Sequence, residues 1–163
     1  MKTIQRFAFP ALLSALLLFA ACSASKEGRG MKHTINGAWT LQAITAEGIA
    51  AKYKAIVFNE ADASCFIGST WTFISNNSMG TYTLSSAAGC PATTRNIRWS
   101  IYEPKDEEKR FQFKRLDDKK NPLDDNDGFR LNVASLTETN MQLKSPITFE
   151  GKAATLVYNF TKN

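Results

Sequence analysis

The side chains that could carry out chemistry are few, and they do not form a catalytic set. His33 is the only histidine in the chain, so we do not expect a nucleophile that is activated by a histidine base. We expect His33 to face solvent near the start of the domain. The sequence therefore predicts no enzyme activity and no cofactor.

Carboxylates are densest in the segment 117–128, which reads as a polar loop. A calcium loop needs an acidic residue at its first and twelfth positions, but alignment on Gly128 places Leu123 and Ala134 there. We therefore predict a solvated, mobile loop without a metal site. A weak, adventitious cation site is the alternative.

Cysteine is the remaining reactive residue type, and Cys22 follows a leader of the secretory kind. Lys2 and Arg6 give a positive start, and the predominantly apolar run 7–21 ends in small residues. This order is typical of a signal peptide. The run is also shorter than the roughly 20 residues that a membrane-spanning helix needs. We predict that residues 1–21 are a signal peptide.

The segment Leu18-Phe19-Ala20-Ala21-Cys22 resembles the lipobox of bacterial lipoproteins. The resemblance implies that the leader is removed and that Cys22 carries a lipid such as palmitate. The domain would then be lipid-anchored in the bacterial cell envelope, with the outer membrane as the expected location. A plain secreted protein cleaved near Cys22 is the alternative. Residues 22–34 are predicted to be a flexible tether, because small and polar residues dominate there.

Cys65 and Cys90 are the two other cysteines of the chain. A pair outside the cytosol is expected to form a disulfide, which would stabilise the fold by about 3 kcal/mol. A structural metal site would need more ligands than these two thiolates supply. No metal is therefore predicted.

The net charge of +5 arises from 20 basic and 15 acidic residues. Lys2 and Arg6 of the predicted leader supply part of this excess. The remaining surplus is small and fits a solvated surface of mixed charge, so no nucleic-acid partner is predicted.

Short amphipathic strands are the elements that would position these residues. From Ala38 onward about eight runs alternate apolar and polar residues, as Trp71 and Phe73 do against the threonines beside them. One apolar and one polar face per strand is typical of an antiparallel sheet. Eight such strands hide both their apolar faces and their edges by closing into a barrel. Only the segment 49–63 is ambiguous, between a short helix and an irregular strand.

The start of the first strand, Asn36-Gly37-Ala38-Trp39, resembles the Gly-x-Trp motif of lipocalins. The resemblance implies an all-β fold, an antiparallel up-and-down β-barrel of about eight strands over residues 35–163. It also implies that Trp39 packs at one barrel end beneath a basic residue of the last strand, here Lys162. A smaller barrel or META-like domain is the alternative. The ordered series that is similar to lipocalin-like lipoproteins of the Bacteroidetes type comprises Cys65, Trp71, Phe73, Gly80, Tyr82, Cys90, Trp99 and Ile101.

Two functions fit such a barrel, and they differ in what fills the interior. In the first, a small apolar ligand binds in or at the mouth of the barrel. In the second, side chains fill the barrel, and its loops or outer face engage another envelope protein or a glycan. An enclosed apolar space of at least about 300 Å³ would favour the first. The predicted lining is Trp71, Phe73, Tyr82, Trp99, Phe111, Phe113, Phe129 and Tyr158, with Arg98, Arg115, Arg130 or Lys144 at the rim.

Overall fold

A computed structural model describes residues 25–49, 54–84 and 89–163, so the predicted signal peptide and Cys22 lie outside the described residues. Two helices are described, α1 (Lys26–Ile35) and α2 (Ala63–Phe66), and a 3-10 turn covers Asp124–Asn126. None of the helices in these ranges is long and apolar enough to cross a membrane. The strands are β1 (Gly37–Glu47), β2 (Ile56–Val57), β3 (Ala61–Asp62), β4 (Thr70–Ile74), β5 (Met79–Leu84), β6 (Thr93–Tyr102), β7 (Arg110–Leu116), β8 (Phe129–Leu136), β9 (Asn140–Phe149) and β10 (Lys152–Lys162).

Eight of these strands form a closed antiparallel barrel in the order β1-β10-β9-β8-β7-β6-β5-β4. From β4 to β10 each strand pairs with the next along the chain, and β1 closes the barrel by pairing with both β4 and β10. The predicted all-β, up-and-down barrel of eight strands is therefore confirmed. The period-two alternation of each run places one face in the interior and the other outside.

Helix α1 corrects the predicted tether, because residues 26–34 are helical and pack on one barrel end. The Ser25 hydroxyl caps the helix by accepting a hydrogen bond of 2.9 Å from the Gly28 amide, as N-cap serines do. At the other end of the helix Ile35 is completely buried. Capping and burial outweigh the low helix propensity of the two glycines. His33 is exposed, as expected.

The described part of the ambiguous segment, residues 54–63, lies across the opposite end of the barrel. Within it, β2 and β3 pair only with each other as a small hairpin, and α2 follows directly. Of the two structures left open by the sequence, the described part of the segment forms irregular strand, and a helix begins only at its last residue, Ala63. The predicted disulfide is also confirmed, since Cys65 of α2 is bonded to Cys90 with a Cα–Cα distance of 5.4 Å. The disulfide joins α2, at the end of this segment, to the connection between β5 and β6.

Candidate functional site

Aromatic rings fill the interior of the barrel. All eight predicted lining residues face inward, but they pack against one another instead of surrounding an open cavity. Trp71 stacks on Tyr82 with ring centroids 4.6 Å apart, and the rings of Phe113 and Phe129 are 5.2 Å apart. The central space among these rings measures about 10 Å³, which is the room of one water molecule at most. Among the residues that the structure describes, the centre of the barrel holds no preformed ligand cavity.

Trp39 and Lys162 meet at the barrel end that α1 covers. They are paired residues of β1 and β10, and the Lys162 Nζ atom lies 5.3 Å from the Trp39 ring centroid. The same ammonium donates a 2.8 Å hydrogen bond to the carbonyl oxygen of Thr34. The Trp39 indole donates a 2.7 Å bond to the Ile35 carbonyl. The two predicted residues therefore anchor the end of α1 as well as closing the barrel.

A buried ionic cluster occupies the opposite end, which we call the mouth. The Glu60 carboxylate accepts hydrogen bonds from Arg95 at 2.8 Å, from the Tyr82 hydroxyl at 2.9 Å and from Arg115. Arg115 also donates two hydrogen bonds to Asp124. The side chains of Glu60 and Arg115 are only 6% and 8% exposed. Such ionic groups persist in a protein interior because each is paired and hydrogen-bonded.

The charges of the mouth cluster shift one another's protonation equilibria. Burial raises the pKa of Glu60, but hydrogen bonds from Arg95, Tyr82 and Arg115 outweigh it, so the pKa lies below its ordinary value. The hydrogen bond from Arg115 lowers the pKa of Asp124. Burial and the Glu60 charge raise the pKa of the Tyr82 hydroxyl. At neutral pH the cluster therefore holds two carboxylates, two guanidinium groups and a neutral phenol.

Two predictions about this end need correction. Arg115 does not stand at an open rim, because the alternation of β7 turns it inward beside Phe113. Nor is the whole segment 117–128 a solvated loop, since the side chain of Asp124 is only 12% exposed in its pair with Arg115. Asp124 is partly buried because its carboxylate is hydrogen-bonded to the buried Arg115 guanidinium. No group of three or more metal-ligating side chains is found in the described parts of the chain.

A groove of about 850 Å³ runs along the outer face of β6, β7 and β8. Strand alternation turns polar side chains into it, because Trp99 and Phe113 between them point into the core. Gln112 bridges two of the strands, donating to the Ser100 hydroxyl at 2.8 Å and accepting from Arg130 at 3.2 Å. The polar lining comprises Ser78, Arg98, Ser100, Gln112, Lys114, Asn126, Asp127 and Arg130.

Two cations occupy opposite positions of neighbouring strands in this groove, where the Lys114 ammonium also donates a 2.8 Å hydrogen bond to Asn126 Oδ1. Arg98 of β6 and Lys114 of β7 are directly opposite residues, and Arg130 of β8 lines the same groove. Like charges in opposite positions of neighbouring strands destabilise a sheet. Asp127 is the one carboxylate that lines the groove, and within the described residues no salt bridge joins it to these cations.

The predicted rim cations are therefore spread over the molecule. Arg98 and Arg130 lie on the outer face, and Lys144 of β9 points outward to form a salt bridge of 2.9 Å with Glu47. Glu60 and Phe58 of the β2–β3 hairpin, and Arg95 of β6, were not expected at any site. The inward direction of Arg95 could have been predicted, because the alternation of Ile97, Trp99 and Ile101 extends to it.

Comparisons with models of known protein families, with curated proteins and with solved structures gave no match to this chain. The geometry of the mouth and the groove is therefore the basis for the functional proposals.

Proposed function

We propose that the protein is a lipid-anchored envelope protein whose filled barrel acts as a non-catalytic module that binds an anionic glycan in the outer groove. The opposed cations Arg98 and Lys114 carry this proposal. Their repulsion costs stability in the free protein, and a bound anion would relieve it. Arg130 adds a third charge to the same groove, and its guanidinium is suited to a carboxylate or sulfate.

The chemistry of the groove favours a glycan over a protein partner. Protein interfaces are centred on buried apolar or aromatic anchors that fit pockets, whereas most of the residues that line this groove are polar. Next to the groove, the Arg130 guanidinium carbon lies 5.1 Å from the centroid of the Tyr102 ring, in a cation–π contact. Ser100, Gln112 and Asn126 offer hydroxyl and amide groups that can exchange hydrogen bonds with sugar hydroxyls.

The proposed anchor would hold the domain near the membrane. Cys22 precedes Ser25, the N-cap of α1, by only three positions, and three residues span about 11 Å at most. A lipid on Cys22 would therefore keep the α1 end of the barrel close to the bilayer surface. The groove lies on the side of the barrel and would be open to polymers that lie along the membrane.

Binding to the groove can be tested with two polysaccharides that differ in charge, anionic polygalacturonate and neutral dextran. We expect the anionic polymer to bind and the neutral one not to bind. The triple variant Arg98→Ser, Lys114→Ser and Arg130→Ser should weaken binding of polygalacturonate by about tenfold or more, because it removes the salt-dependent contacts.

The matched control removes the same net charge elsewhere. Lys105, Lys120 and Lys152 are exposed residues outside the groove, and their replacement by serine should leave the affinity within about twofold. If both triple variants lost binding equally, net charge alone would explain the interaction and the groove assignment would be wrong. Failure of the unmodified protein to bind polygalacturonate would remove the proposed function.

The anchor has a separate test in cells. Cys22→Ser should abolish lipidation and release the protein in soluble form, while leaving the glycan affinity of the purified domain unchanged. If the serine variant still partitioned into detergent with the membrane fraction, the assignment of Cys22 as the lipidated residue would be wrong.

A further inference from the structure

The β2–β3 hairpin occupies the barrel mouth without being part of the barrel sheet. Its strands pair only with each other, yet the ring of Phe58 at its tip is buried among the aromatic residues of the interior. The centroid distances from Phe58 are 5.0 Å to Phe113, 5.3 Å to Phe66, 5.4 Å to Phe129, 5.5 Å to Tyr158 and 5.9 Å to Trp71. Phe58 therefore fills an apolar well that is formed largely by residues of other elements.

At the tip of the hairpin, Phe58 adopts a backbone conformation that its residue type does not favour. Phe58 and Asn59 have φ angles of 54° and 50°, and the Glu60 amide closes the turn on the Val57 carbonyl at 3.1 Å. Turns with two left-handed central residues prefer Asn, Asp or Gly, and a bulky residue such as Phe rarely adopts this conformation. Asn59 suits this turn, whereas Phe58 is held in it by its contacts in the mouth and not by local preference.

The barrel strands supply a receptor for a single carboxylate, which Glu60 now fills. Arg95 comes from β6, Arg115 from β7 and Tyr82 from β5, and all three donate to the Glu60 carboxylate. Without Glu60, Arg115 would retain Asp124, whereas Arg95 has no other salt bridge among the described residues. One positive charge and one phenol donor would be left unpaired above the apolar well.

We propose that Phe58 and Glu60 are an internal occupant of a ligand site in the mouth, and that a monocarboxylate with an aromatic or apolar tail displaces them. The tail would enter the well that the Phe58 ring now fills, and the carboxylate would take the place of Glu60 on Arg95, Arg115 and Tyr82. The disulfide at Cys65 would keep the displaced hairpin attached to the barrel. Phe113 and Phe129 border both this site and the outer groove, but the charged groups of the two sites are different residues, so the proposal does not depend on the proposed glycan binding.

The test compares three probes that share a tail, 4-phenylbutanoate, 4-phenylbutanamide and 4-phenylbutylamine, by isothermal titration calorimetry. The variant Phe58→Ala with Glu60→Ser removes the internal occupant, so its affinity for 4-phenylbutanoate should exceed that of the unmodified protein by about tenfold or more. The amide and the amine should bind this variant at least about tenfold more weakly, because they lack the carboxylate. Adding Arg95→Gln should abolish the preference for the carboxylate.

The matched control is Ile56→Ser, which changes a 71% exposed residue of the same hairpin and should leave the affinity unchanged. Equal binding of the three probes to the double variant, or no binding of any, would overturn the proposal. If the double variant does not fold, hydrogen exchange of the unmodified protein decides. Saturating 4-phenylbutanoate should then speed exchange of the amides of residues 56–62 and leave the barrel strands protected. Unchanged exchange of these amides would also overturn the proposal.

Discussion

Gly80 of β5 passes Thr72 of β4 so closely that a Cβ atom on Gly80 would overlap the carbonyl oxygen of Thr72. This close approach lets β4 and β5 pair beside the packed ring of Phe73, which is the register partner of Gly80. A methyl group at this position has no room unless the backbone moves.

Replacing Gly80 by alanine should therefore lower the free energy of unfolding by about 1–3 kcal/mol, the usual cost of overpacking a core. Gly30 in α1 is the matched control, because a Cβ there meets no atom within 4 Å. Gly30→Ala should raise stability by up to about 1 kcal/mol, since alanine favours the helix. Urea unfolding measures both changes, and equal stability of the two variants would contradict this view of the β4–β5 pair.

Trp39→Ala should cost about 3–5 kcal/mol of unfolding free energy, as expected for a completely buried large aromatic residue. The variant also removes the indole bond to the Ile35 carbonyl and the ring beneath the Lys162 ammonium. Ile74→Ala, at a 43% exposed strand position, is the control and should cost far less. An unchanged melting temperature for Trp39→Ala would mean that Trp39 does not close this end of the barrel.

Arg98→Glu should increase stability while it weakens the binding of anions. Glutamate would face Lys114 across the strand pair, replacing repulsion by attraction worth about 0.2–1 kcal/mol. The gain should shrink at high salt, because the pair is near the surface. Chemical unfolding at low and high ionic strength measures the effect. A less stable variant at low salt would show that the opposed cations do not repel each other appreciably.

The mouth cluster predicts a specific acid sensitivity. The folded state holds the pKa of Glu60 below its ordinary value of 4.5, so this group stabilises the fold above that value, and the contribution is lost as the pH falls through the folded pKa. At pH 7 the variant Glu60→Gln should be less stable by about 1–3 kcal/mol, because a partner of buried Arg115 loses its charge. The difference between the two proteins should narrow below about pH 4.5. A constant difference from pH 7 to pH 3 would contradict this role.

Much of the barrel could be predicted because its signal is local. In an extended strand the side chains alternate between two faces, so the inward positions of Trp71, Phe73 and Phe111 follow from their spacing alone. The same alternation, extended by one step, would have turned Arg115 and Arg95 inward. The disulfide could also be predicted, because Cys65 and Cys90 were the only pair of cysteines left once Cys22 was assigned to lipidation.

The strands, their two faces and their antiparallel order could be predicted from the amino-acid sequence, since these depend on residues within a few positions of each other. Long-range packing, in contrast, causes α1 to form on the barrel end, fills the interior with side chains, and pairs Glu60 with Arg115 across 55 positions of the chain. Packing volume and charge pairing are sums over distant segments, so no local pattern specifies them. For this reason the position of Phe58 in the mouth could not be predicted from the sequence.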